Sequence, residues 1–135
     1  MTFAYPLTGI VTLITLLVYF WMAFEVGKAR GKHDIPAPRM DGPGDFLRVL
    51  RVQGNTAETL LIFLPSLWLF AATVGDVWAA AIGLIYPIGR VVYARGYYAA
   101  ALQRSTGFTI SLASMAVLTI GALIALVMQA VAAYL

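Results

Sequence analysis

Of 135 residues, 61% are hydrophobic and 11% charged, whereas a soluble domain carries about 25% charged residues; that balance argues against a soluble globule. Nine Lys and Arg against six Asp and Glu leave a net charge of +3, but no soluble basic arm offers it to nucleic acid, so anionic small ligands or lipid headgroups are the expected partners. The absence of cysteine excludes disulfides and a protein-borne thiol nucleophile, so sulfur chemistry would need a thiol brought by a substrate.

The charges are unevenly placed. Residues 1–24, 59–75, 77–89 and 105–135 hold none, while eleven fall between Glu25 and Glu58. A helix needs about 20 residues to cross about 30 Å of hydrocarbon, so these gaps predict an all-α integral membrane protein with four transmembrane helices in a single domain spanning 1–135.

The first helix is expected over about 5–29 and is read as retained, because no basic residue precedes its apolar run Leu13–Phe24. A loop over about 30–44 follows, with Pro36, Pro38 and Pro43 and mixed charge. His33 is expected there as a solvated residue without partners for a metal, and no metal site is expected anywhere in the chain. Helix 2 is expected over 45–74, with Asp45 capping its first turn and Pro65 kinking it. The short Gly75-Asp76 turn makes helices 2 and 3 an antiparallel hairpin. Helix 3, expected over 77–103, has too few uncharged residues to span unless it carries Arg90 at headgroup depth or faces it into the bundle. Ser105-Thr106-Gly107 would turn the chain into helix 4, over 107–134.

All nine Lys and Arg then lie at one end of the bundle, and the opposite end holds both termini and Asp76. The positive-inside rule puts the basic end in the cytoplasm and the termini outside.

Two polar faces stand out. Arg48, Arg51, Asn55 and Glu58 recur at helical spacing on helix 2. On helix 3, Arg90, Tyr93, Tyr97 and Arg104 recur at i, i+3, i+7 and i+14, over about 21 Å. Guanidinium, amide, carboxylate and phenol groups on facing helices suit a small zwitterionic ligand with several carboxylates. Each group also has a simpler reading: a basic collar for lipid at Arg48 and Arg51, an ion pair of Glu58 with Arg51 or Arg90, an aromatic belt at Tyr93 and Tyr97, and a dipole-compensating charge at Arg104. None of these explains the alignment on two faces.

The run Arg51-Val-Gln-Gly-Asn55-Thr-Ala-Glu58, then Phe63-Leu-Pro65-Ser-Leu-Trp68, and the later Gly89-Arg90-Val-Val-Tyr93-Ala-Arg-Gly96-Tyr97 ending at Arg104 resemble the two motifs of the MAPEG family, membrane-associated proteins in eicosanoid and glutathione metabolism. Lys28-Ala29-Arg30 resembles the end of that family's first helix, and the absence of any extension leads us to expect a bacterial-type member in the inner membrane. The resemblance implies a homotrimer with glutathione as co-substrate between adjacent subunits. It assigns Arg30, Arg51, Gln53, Asn55, Glu58, Arg90, Tyr93 and Tyr97 to glutathione binding and Arg104 to stabilising the thiolate, and Arg48 joins the binding set from its place on the helix 2 face. The implied activity is conjugation of glutathione to hydrophobic electrophiles, with reduction of lipid hydroperoxides as a side activity. Leukotriene-forming members carry tyrosine where Thr59 stands and arginine where Gly31 stands, which points away from leukotriene synthesis. Two other readings compete: a non-enzymatic lipid-binding or scaffold member, and a small four-helix transporter coupled through Glu58 or Glu25.

Overall fold

The computed structural model describes residues 2–135. It has four long helices, α1 (Pro6–His33), α2 (Gly44–Thr73), α3 (Asp76–Ala99) and α4 (Ser105–Tyr134), with a 3-10 turn, Ala101–Arg104, between the last two. Each helix, the fourth counted with the 3-10 turn, is long and apolar enough to cross a membrane. α2 and α3 pack on each other and on both flanking helices, and the most extensive contact is α3 against α4.

Local chemistry accounts for the breaks. Pro6 occupies the first turn of α1, where its missing N–H is unneeded. That helix runs to His33, beyond the expected end, because Asp34 closes it in a left-handed conformation and the prolines begin only at Pro36. His33 is therefore a helical residue, not a solvated loop residue: its side chain is 18% exposed and its Nε2 lies 3.0 Å from Asp45. Asp45 also accepts from Lys32 at 3.2 Å, so its carboxylate ties the first two helices together while its other oxygen accepts from the Phe46 N–H in the first turn of α2 at 3.0 Å. In the intervening loop the Arg39 guanidinium, hydrogen-bonded to Asp41 at 2.9 Å, holds that carboxyl below its ordinary range. Gly75, at φ 138°, makes the hairpin turn in backbone space that L side chains rarely enter.

α3 ends at Ala99, short of the expected 103, because Ala100 is extended. The turn falls at Ala100–Arg104, and Ser105-Thr106-Gly107 already belongs to α4. At the opposite end Asp76 accepts from the backbone N–H groups of Leu7 and Thr8 at 3.1 and 2.8 Å and from the Thr8 hydroxyl at 2.7 Å. It thereby caps α1 across the bundle, meeting amides that the helix itself leaves unpaired.

Within the apolar body, Phe63 stacks on Tyr86 with centroids 4.0 Å apart, beside Leu67, Met115 and Leu118. Helix contacts there use hydroxyls as well as methyls: Ser66 with Thr119 at 2.8 Å, Ser114 to the Ile82 carbonyl at 2.8 Å, and Trp68 Nε1 to Thr12 at 3.1 Å. Lipid is as apolar as leucine, so such bonds and close packing hold membrane helices together. Two glycines set the α3–α4 spacing: a Cβ on Gly89 would lie 2.7 Å from the Ser111 amide nitrogen, and one on Gly107 would collide with the Tyr93 backbone. Replacing Gly107 by Leu is expected to separate these helices and lower the melting temperature in detergent, at a cost of about 3 kcal/mol or more. Gly31→Leu, where an added Cβ meets nothing within 4 Å, is the matched control.

Candidate functional site

The polar residues gather at the basic end, around one buried cation. Arg90 is 1% exposed. Its Nε and Nη2 donate to the Thr56 hydroxyl on α2 at 3.2 and 2.9 Å, and its Nη1 donates to Ser111 on α4 at 3.2 Å. The guanidinium carbon lies 3.9 Å from the Tyr93 ring centroid and 5.9 Å from that of Tyr86. Among the described residues no carboxylate pairs with it. The charge is held by hydroxyl oxygens and aromatic faces, which solvate a cation without neutralising it.

From Arg90 the arrangement runs outward. Tyr93, also buried, accepts at its hydroxyl from Asn55 Nδ2 at 2.8 Å and keeps its own proton to donate. Tyr97 meets Tyr93 edge to face with centroids 5.6 Å apart. The guanidinium carbon of Arg104 lies 5.6 Å from the Tyr97 ring centroid, and its Nη1 donates to the Ala101 carbonyl at 2.6 Å. Arg104 is exposed and, with Ser105, Phe108 and Thr109, lines an open hollow of about 510 Å³.

Helical periodicity puts Arg104 on the same continuous face as Arg90. In the structure it reaches Tyr97 because the chain breaks at Ala100 and folds back in the 3-10 turn. The α2 face divides. Asn55 turns toward α3, and Arg48 Nε reaches the Tyr98 carbonyl at 3.4 Å. Arg51 and Glu58 are exposed, Gln53 is half-buried, and none of the three has a side-chain hydrogen bond or ion pair among the described residues. An ion pair of Glu58 with Arg51 or Arg90 is therefore not formed. Arg30 is half-buried over the Phe46 ring at 5.4 Å and donates to the Arg39 carbonyl at 2.6 Å, bracing the α1–α2 loop.

Thr56 and Ser111 went unnoticed in the sequence, although both are central. A hydroxyl one residue beyond Asn55 carries no signal until the partner cation is known. Thr59 likewise gains meaning only in three dimensions, where its hydroxyl lies 2.7 Å from that of Tyr86.

A family model described as the MAPEG family matches residues 8–124. The chain belongs to the MAPEG family. It is 42% identical over 121 residues to an uncharacterized protein of Synechocystis, covering 90% of this chain and 88% of that protein. Microsomal glutathione S-transferase 2 of Homo sapiens is 38% identical over 114 residues, 84% of this chain and 78% of its own length. Leukotriene C4 synthase of Cavia porcellus is 35% identical over 98 residues, 73% of this chain and 65% of its own length. With four spanning helices and this membership, the chain is an integral, multi-pass protein of a membrane family that includes glutathione transferases.

Thr56→Val removes the acceptor of two Arg90 donors and strands a buried cation, so it is expected to cost about 1–3 kcal/mol, read as a lower detergent melting temperature. Arg90→Lys is expected to fare little better, because an ammonium cannot fork between α2 and α4.

Proposed function

We propose that this protein is a membrane glutathione S-transferase that joins the glutathione thiol to lipophilic electrophiles. The observation that carries the reading is the run from Asn55 through Tyr93 and Tyr97 to Arg104, in which an exposed guanidinium stands over an aromatic face at the mouth of an open hollow beside Phe108. Its likeness to microsomal glutathione S-transferase 2 supports the substrate assignment.

In this mechanism Arg51, with Arg48 beside it, meets glutathione carboxylates, Glu58 accepts from its ammonium, and Asn55 and the tyrosines orient its amides. Gln53 and Arg30 complete the set, and Arg90 acts from below by fixing Tyr93. We further propose a homotrimer, as the family resemblance implies, in which Arg51 and Glu58, exposed on α2 with no partner among the described residues, are open to a neighbouring copy. The basic end is assigned to the cytoplasm of a bacterial inner membrane, with both termini outside.

Arg104 supplies the chemistry. A free thiol has a pKa near 8.5 and only its thiolate attacks well, so a cation beside the sulfur raises the reactive fraction at neutral pH. A shift of about two units corresponds to about 2.7 kcal/mol of differential stabilisation. The thiol proton passes to solvent, the sulfur forms a bond to the electrophilic carbon, and the leaving group departs with its electron pair. No general base from the protein is needed.

Arg104→Ala is expected to raise the pKa of the bound thiol and to lower kcat/KM toward an activated aryl halide at neutral pH by about tenfold or more, with recovery as the pH rises through the free-thiol pKa. Thiolate absorbance near neutral pH checks the first point and a pH–rate profile the second; an unshifted absorbance refutes the assignment. Isothermal titration with glutathione separates the enzyme from a scaffold protein, which would show no heat.

A further inference from the structure

A second groove runs along α1 against α3 and, toward the basic end, the start of α2, and its lining contains none of the residues assigned above. Its apolar stretch, a hollow of about 390 Å³, is lined by Ile14, Leu17, Val18 and Trp21 with Val91 and Arg95. Toward the basic end lies a polar hollow of about 350 Å³, whose walls include Glu25, Lys28, Lys32, His33, Asp45 and Tyr98. Trp21, in the wall of the apolar hollow, and Tyr98, in the wall of the polar one, meet edge to face at 6.0 Å. One face of α1 runs through both, since Ile14, Val18, Trp21, Glu25, Lys28 and Lys32 follow one another at steps of three or four residues. That face covers about 27 Å at the standard helical rise. Val91, Arg95 and Tyr98 form the facing wall on α3 by the same spacing.

Charge decides what such a groove holds. Lys28 is paired with Glu25 at 3.1 Å, and Lys32 and His33 with Asp45 at 3.2 and 3.0 Å. Arg95 is exposed beside the apolar stretch and has no hydrogen bond or ion pair among the described residues. The Tyr98 hydroxyl is buried with no partner among them. A groove that is apolar along one half, polar along the other and left with one uncompensated cation between them matches a molecule with an acyl chain and an anionic head.

We propose that the α1–α3 groove is a binding site for one anionic glycerophospholipid, with an acyl chain along Ile14, Val18 and Trp21, the phosphate at Arg95, and the rest of the headgroup in the polar hollow. The proposal does not rest on the glutathione reading, because Arg95, Trp21 and Val18 are not assigned to it, although Val18 and Trp21 pack on the cluster that holds Tyr93.

Native mass spectrometry of the purified protein tests this with phosphatidylglycerol and phosphatidylcholine of identical acyl chains. The wild type is expected to keep one phosphatidylglycerol per chain under conditions that strip phosphatidylcholine. Arg95→Gln should lower that retention about fivefold, the effect of one cation facing an anionic lipid. Val18→Trp should lower it by filling the apolar half, and Arg39→Gln, in the loop, should leave it unchanged. Equal retention of the two lipids by the wild type, or equal retention of phosphatidylglycerol by the wild type and Arg95→Gln, overturns the proposal. Melting temperatures of all variants keep loss of fold separate from loss of the site.

Discussion

The arginine at position 90 is the constraint on which this bundle depends. A guanidinium inside four packed helices is costly unless its donors are met, and here no carboxylate meets them. Thr56 accepts two bonds and Ser111 one, so a single side chain of α3 holds both α2 and α4 at one level. The face of Tyr93 covers the remaining surface of the charge. Such bonds form only if α3 and α4 approach closely, and Gly89 and Gly107 permit that approach.

The geometry of the candidate site follows from this anchorage. Because Tyr93 lies against Arg90, its hydroxyl is aimed at Asn55 and its ring edge at Tyr97, and Tyr97 in turn supports Arg104. Cations thus occupy two kinds of place, one enclosed and structural, the others open toward ligand or lipid. Both kinds stay near one end, where long basic side chains reach water or phosphate. At the far end a single carboxylate, Asp76, does the corresponding work for the helix ends by capping α1.

Much of this was readable from residue order. Charge-free runs predict the spanning helices, the third only if Arg90 is carried with it, and proline or glycine clusters predict the breaks, because both depend on local chemistry alone. The breaks moved where a local signal was incomplete: α1 ran on to His33 until a left-handed residue stopped it, and α3 stopped early at Ala100 without any proline to announce it. Most of the candidate site residues appeared as two periodic faces, but periodicity says only which residues share a side. It could not separate Asn55, which turns inward, from Arg51 and Glu58, which remain exposed.

Class, span number, basic end and the group of candidate residues follow from hydrophobicity and charge along one dimension, since a bilayer sorts residues by depth. Which arginine is enclosed, which hydroxyls receive it, and how Arg104 comes to stand over Tyr97 despite a broken helix required the tertiary structure. Those relations join α2, α3, the 3-10 turn and α4, and the strength of a buried charge's interactions depends on distances between helices that no spacing within one helix encodes.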